Sequence, residues 1–230
     1  NNWQDDLWLV ACGIFGVSLY FFTENTALGI TQASNVSFII CTAPLLTTIL
    51  SLLFYKSEKA SKGLIYGSLL ALMGVGLIVF NGSFVLKISP IGDLLTLLAA
   101  LSWAFYSLII KKMAGRYPTI FITRKIFFYG VLTILPAFLL HPLHPDTVVL
   151  LQPAVLFNLL FLAVLASLIC YVLWNVVLKQ LGTVRASNYI YLNPLVTMIA
   201  SFLILDEKIT LVALGGAACI VCGVYWAEKK

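Results

Sequence analysis

Polar and aromatic side chains recur inside long apolar stretches of this chain, and they are the residues with chemistry to offer. In the first stretch Tyr20, Glu24 and Asn25 come together. Glu24 is the acid closest to a helix interior in this half. It could bind a proton or a substrate amine, or stand at a helix end in outer water. Asn35, Ser37 and Thr42 precede Pro44 on the second stretch. Further on, Ser102 and Tyr106 share a helical face at i, i+4, with Trp103 beside Tyr106 at i, i+3. Tyr171 and Asn175 repeat the i, i+4 spacing around Trp174, and Asn188, Tyr191 and Asn193 crowd a later stretch. Rings tipped with amides and hydroxyls suit a cavity for amphipathic solutes, and the rings offer cation–π contacts to an amine. Polar groups at membrane depth are costly unless they pair or face water. The candidate substrate-binding set is therefore Tyr20, Glu24, Asn35, Trp103, Tyr106, Tyr171, Asn175, Asn188, Tyr191 and Asn193. For each the competing role is interhelical packing, and for Trp174, near Lys179, an interfacial role is preferred. Pro44 and Pro194 are candidate kinks. A proline inside a helix frees the carbonyl four residues back, here Ile40 and Ile190, for a cationic or polar substrate.

Other chemistries lack their residues. There is no nucleophile–base pair, no phosphate-binding glycine loop and no metal-ligand cluster, so neither an enzyme, a cofactor nor a metal is expected. Cys219 and Cys222 have a metal or redox spacing, but they lie in an apolar stretch with no other thiol or imidazole nearby. All five cysteines are expected to be reduced packing residues. His141, His144 and Asp146 are separated by prolines and are expected to form a stiff loop. The net charge of +5 comes without a polybasic run, which argues against a nucleic-acid partner.

The elements that must carry these residues follow from composition. Of 230 residues 61% are hydrophobic and 10% charged, where a soluble domain has about 25% charged. Mean hydropathy is +1.03. A bilayer core needs about 20 apolar residues per helix, and eight segments qualify, near 7–22, 34–55, 63–80, 93–112, 120–140, 154–178, 187–205 and 210–227. The first could run on to about residue 30. This is an all-α polytopic membrane protein with eight transmembrane helices. Alternating the loops puts twelve Lys and Arg on one side and two, Lys87 and Lys208, on the other. The positive-inside rule then makes both ends of the chain cytoplasmic, in a plasma or inner membrane. Arg124 and Lys125, one turn into the fifth segment, are expected to reach for headgroups, and Gly63-x-x-x-Gly67 to mark close helix contact.

An internal repeat sets the organisation. Glu58, Gly67 and Gly74 match Glu207, Gly216 and Gly223 at an offset of 149, and Pro44 matches Pro194 at 150. The acidic corner of the first copy lies on the basic side and that of the second on the opposite side, so the copies are inverted. Inverted repeats with polar groups at mid-membrane are transporter architecture. Inversion needs an odd number of helices per repeat. Residues 87–230 hold five and residues 1–86 hold three, so the expectation is a ten-helix fold of two five-helix repeats whose first two helices are absent here.

These residues resemble the EamA-type drug/metabolite transporters. The run from Gly92 to Tyr106, GDLLTLLAALSWAFY, is similar to the opening of that family's second repeat. Tyr191-Leu192-Asn193-Pro194-Leu195, Glu207, Gly215-Gly216-Ala217 and Gly223-Val224-Tyr225 resemble its close, and Glu24 to Phe80 the end of its first repeat. The resemblance implies a central cavity, alternating access and export of amino acids or other small metabolites, with Glu24 a candidate for a coupled proton or ion. A nucleotide-sugar or drug carrier of the same superfamily is the alternative, followed by a membrane enzyme acting on lipid-linked substrates.

Overall fold

The computed structural model describes residues 2–55, 61–80, 89–140, 147–205 and 209–229. Glu58, Asp206, Glu207, His141, His144 and Asp146, and with them both acidic corners, lie outside the described residues. Among the described residues eight helices are long and apolar enough to cross a membrane: α1 (Trp3–Ile30), α2 (Ala33–Phe54), α3 (Lys62–Phe80), α4 (Pro90–Met113), α5 (Thr119–Leu140), α6 (Pro153–Leu181), α7 (Thr183–Ile204) and α8 (Leu211–Glu228). There is no strand among the described residues. Helix is the form this composition forces, because hydrocarbon satisfies no backbone donor or acceptor. The chain is a multi-pass membrane protein. α1 continues to Ile30, past Glu24, because Thr23, Asn25 and Thr26 all turn their side chains back onto the preceding turn of backbone instead of breaking it.

Burial separates centre from rim. Half of an apolar 18-residue stretch of α4 is buried, against 6% of such a stretch of α6. α4 packs along α1 and α2, with Tyr106, Ile110 and Met113 fully buried. α3 and α8 cross with their backbones in contact. A Cβ on Gly74 would lie 2.5 Å from the Gly216 carbonyl oxygen, and one on Gly223 2.5 Å from that of Gly67. Gly63 likewise faces the Trp226 carbonyl. Small residues let helices approach this closely where lipid offers no hydrophobic drive to associate.

All the described Lys and Arg sit at one end of the bundle, where contacts tie the helix ends together. Arg116 bridges to Asp5 at 2.7 Å and Tyr117 donates to the same carboxylate at 2.9 Å. That hydrogen bond raises the Tyr117 hydroxyl's affinity for its proton. Lys125, expected to reach for headgroups, has a carboxylate partner in the bundle. It pairs with Asp6 at 3.2 Å, because α1 lies against α5. Arg185 reaches Glu228 at 3.8 Å. The cysteines also depart in part from expectation: Cys12 and Cys41 are buried, but Cys170 and Cys222 are exposed, on faces of α6 and α8 that point away from the bundle. An apolar thiol is as comfortable against lipid as in a core, so hydropathy could not separate the two.

Candidate functional site

Two of the spanning helices are interrupted. α2 is helical over Ala33–Ile40, turns through Cys41 and Thr42, and resumes over Ala43–Phe54. α7 is helical over Thr183–Asn188, tightens to a 3-10 turn over Tyr189–Leu192, and resumes at Asn193. Pro44 and Pro194 each occupy the first turn of the resumed helix, where a missing N–H leaves nothing unsatisfied. The interruption therefore precedes the proline and is not a kink around it. The expected free carbonyl at Ile190 is corrected too: the Asn193 N–H takes it, closing the 3-10 turn. At the other elbow Thr42 bonds the Ile39 carbonyl with its N–H at 2.9 Å and its hydroxyl at 2.6 Å.

Both elbows face one cavity of about 300 Å3 in the middle of the bundle. Ile40 and Ala43 come from the α2 elbow, and Tyr189, Ile190 and Asn193 from the α7 elbow. Tyr20, Ala100, Trp103 and Trp174 complete the lining. Trp103 is the hub of an aromatic wall. Its ring centroid lies 5.2 Å from Tyr20, 5.2 Å from Tyr106, 5.7 Å from Tyr171 and 5.6 Å from Trp174. The indole N–H groups of Trp103 and Trp174 are buried with no hydrogen-bond partner among the described residues.

Of the sequence candidates, Tyr20, Trp103 and Asn193 line the cavity. Glu24 stands one turn above Tyr20 and accepts its hydroxyl proton at 3.0 Å, so it meets the cavity only through that phenol. Tyr106, Tyr171 and Asn175 form a shell behind Trp103. Tyr106 donates to Asn175 Oδ1 at 2.8 Å, Asn175 Nδ2 donates to Thr123 at 3.0 Å, and Tyr171 donates to the Gly16 carbonyl. Asn35, Asn188 and Tyr191 are buried and outside the cavity lining. Sequence reasoning passed over Tyr189, Ala43 and Ala100, set Trp174 aside as interfacial, and singled out Ile40 and Ile190 only for their carbonyls. The usable signal was periodicity: Ile40 and Ile190, and Ala43 and Asn193, are each 150 positions apart, as the prolines are.

From the cavity toward the basic end, the same helices close on small polar side chains. Thr47 and Ser51 on α2, Ser107 on α4, and Thr183, Ser187 and Asn188 on α7 are all buried. Thr183 donates to the Ser107 carbonyl at 3.3 Å. The hydroxyls of Thr47, Ser107 and Ser187 and both amide atoms of Asn188 have no partner among the described residues. Small side chains permit the close approach, and their unmet polar groups make it only marginally stable.

The EamA-like transporter family matches residues 1–80 and 90–227. This chain belongs to the EamA-like transporter family. An Archaeoglobus fulgidus protein described only as an uncharacterized transporter is 30% identical over 97% of this chain and 76% of its own length. Proteins named as probable amino-acid metabolite efflux pumps are 29% identical in Salmonella typhimurium, over 75% of this chain and 60% of the relative, and 23% identical in Escherichia coli, over 86% and 69%. A crystal structure of 18% identity superimposes with a TM-score of 0.82, covering 99% of this chain and 77% of that one, a likeness of fold. The EamA-like chain is thus a membrane transporter for a small-molecule substrate, and its cavity lies where its two interrupted helices meet.

Proposed function

We propose that this protein exports amino acids or similarly small amphipathic metabolites by alternating access. One observation carries the reading: the two interrupted helices, α2 and α7, present their elbows to a single cavity walled by Tyr20, Trp103, Trp174 and Asn193. The unpartnered indole N–H groups beside the cavity suit a carboxylate, the ring faces suit an aliphatic or aromatic side chain, and Glu24 behind Tyr20 suits an ammonium group or a coupled proton. A volume of about 300 Å3 is at the lower limit of ligand pockets, about 300–1,000 Å3. That favours a single amino acid over a nucleotide sugar. The two relatives named as amino-acid metabolite efflux pumps support the same class.

The halves act as inverted repeats, 1–86 and 87–230, rocking about the cavity. Two features support this. The lining pairs Ile40 with Ile190 and Ala43 with Asn193 at the repeat offset. The α3–α8 crossing also maps onto itself: an offset of 149 sends Gly67 to Gly216 and Gly74 to Gly223, so the contact of Gly67 with Gly223 becomes that of Gly216 with Gly74. The small polar seam of Thr47, Ser107, Ser187 and Asn188 is the side that parts when the cavity opens to the basic end. That end faces the cytoplasm of a cell or inner membrane, by the positive-inside rule.

The test is counterflow in proteoliposomes holding the full chain and loaded with a panel of amino acids and small metabolites. Saturable exchange of amino acids is the expected result. No flux of any panel member defeats the transport reading, and flux of nucleotide sugars alone defeats the substrate class. Glu24→Gln should abolish the pH dependence of flux; an unchanged pH profile removes the proton role.

A further inference from the structure

The two elbows also share a core. Cys41 of α2 and Tyr191 of α7 pack with Ala71 and Val75 of α3 and Ile220 and Val224 of α8, all of them buried. The repeat offsets carry this cluster onto itself: 150 sends Cys41 to Tyr191, and 149 sends Ala71 to Ile220 and Val75 to Val224. It sits on the crossing where α3 and α8 touch through Gly67, Gly74, Gly216 and Gly223. Groups that a two-fold operation exchanges among themselves lie about its axis. When two inverted halves trade conformations the axis keeps its position, so what lies on it is the pivot.

The pair contributed by the elbows is unequal. Cys41 is small, and Tyr191 is a large side chain with no exposed surface. The 3-10 turn sets its direction. At three residues per turn, Ile190 and Asn193 fall on one face, which lines the cavity, and Tyr191 points a third of a turn away, into the cluster. Fixing the Tyr191 ring therefore fixes where Ile190 and Asn193 stand. Its hydroxyl lies beside that of Ser68 on α3, yet neither hydroxyl completes a hydrogen bond among the described residues. Each can both donate and accept, and each is costly to bury without a partner. A small turn of α7 brings the two together.

We propose that Tyr191 is a positioning residue for transport. Its ring stays on the α3–α8 crossing while the α7 elbow turns about it, and its hydroxyl bonds Ser68 once the seam to the basic end has opened. The bond missing in one setting and gained in the other brings the two settings toward balance. This role rests on the alternating-access reading of the inverted halves.

Opening is read without transport, as deuterium uptake by the backbone of Thr183–Asn188, the α7 side of the seam, in the full chain held in nanodiscs. Tyr191→Phe keeps the ring and removes the hydroxyl. It should raise Tm, because a buried orphan is gone, and slow uptake over 183–188 roughly fivefold, one hydrogen bond's worth, while uptake by α4 is unchanged. Ser68→Ala should do the same. The double variant tells one shared bond from two independent hydroxyls: the gains in Tm should add, whereas uptake at the seam should slow no further than in either single variant. A lower Tm with unchanged uptake, faster uptake in Tyr191→Phe, or additive slowing in the double variant would overturn the proposal. Tyr191→Leu removes the ring, so the half-saturation concentration for amino-acid exchange should rise several-fold as Ile190 and Asn193 lose their placement, where Tyr191→Phe leaves it unchanged. An unchanged value in Tyr191→Leu sinks the positioning role, and Tyr191→Phe carries the test if Tyr191→Leu does not fold. In vesicles, amino-acid exchange by Tyr191→Phe should slow in step with the seam; a wild-type rate would disconnect the pivot from transport. Absence of amino-acid exchange by the wild type counts against the transport reading and leaves the seam result to stand or fall by itself.

Discussion

The α2 and α7 elbows use one device at two settings. Each interrupts a spanning helix just before a proline, and each turns an isoleucine and the residue three positions on toward the cavity. At the α2 elbow the break is two residues long, and the Thr42 side chain fastens it by bonding Ile39. At the α7 elbow a four-residue 3-10 turn replaces the α-helix, and the buried Asn188 before it has no hydrogen-bond partner among the described residues for either amide atom. A buried amide without partners costs about 1–3 kcal/mol. The first elbow is thus a fixed corner and the second a strained one. The proposed rocking would need one element whose packing is close to balance, and α7 is the one that fits.

The largest effect should come from the residue both elbows face. Trp103→Ala removes four ring contacts, together at least about 2 kcal/mol. Those contacts lie within the protein, so Tm should fall, and the half-saturation concentration for exchange should rise by up to about tenfold, the worth of one lost aromatic contact to the substrate. A change under about threefold would mean the aromatic wall is packing only. Next is Asn188→Leu at the strained elbow. Exchanging the orphan amide for an apolar group of similar size should raise stability by about 1–3 kcal/mol, seen as a higher Tm, and slow exchange without changing affinity. Lower stability would show that the amide has partners and the elbow is not strained. At the fixed elbow Thr42→Val should do the opposite, losing about 1 kcal/mol of stability with exchange rate little altered. The smallest effects belong to the prolines. Pro44→Ala and Pro194→Ala should each move stability by less than about 1 kcal/mol, because neither breaks the helix it begins. A large loss at one and not the other would separate the elbows more sharply than Asn188 does.

The spanning segments were legible because hydrocarbon is a strict solvent. Eight runs of apolar length could be counted, and eight such helices are present among the described residues. The glycines of α3 and α8 were legible for the same reason, since small residues are what helices use to meet in lipid. The site was legible only in outline. Trp103 and Tyr106 are adjacent on the face drawn from their spacing, yet Trp103 lines the cavity and Tyr106 is sealed behind it. Asn175 was chosen and Trp174 set aside, and the cavity holds Trp174. Pro194 pointed to the right elbow while the carbonyl expected to be free was already bonded.

The sequence by itself determined that this chain is a bundle of membrane helices, where it enters and leaves the bilayer, at which end its cations collect, and which helices are punctuated by proline. Those follow from the free energy of moving residues between water and hydrocarbon, which is a property of each segment alone. Which side of each helix looks into the bundle was decided by tertiary structure. In a soluble helix the polar stripe announces the outside, but here lipid and core are equally apolar, so a helix such as α6 is hydrophobic all round and carries no such mark. Only the fit of α1, α2, α4, α6 and α7 around Trp103 turns a list of aromatic and amide residues into a cavity.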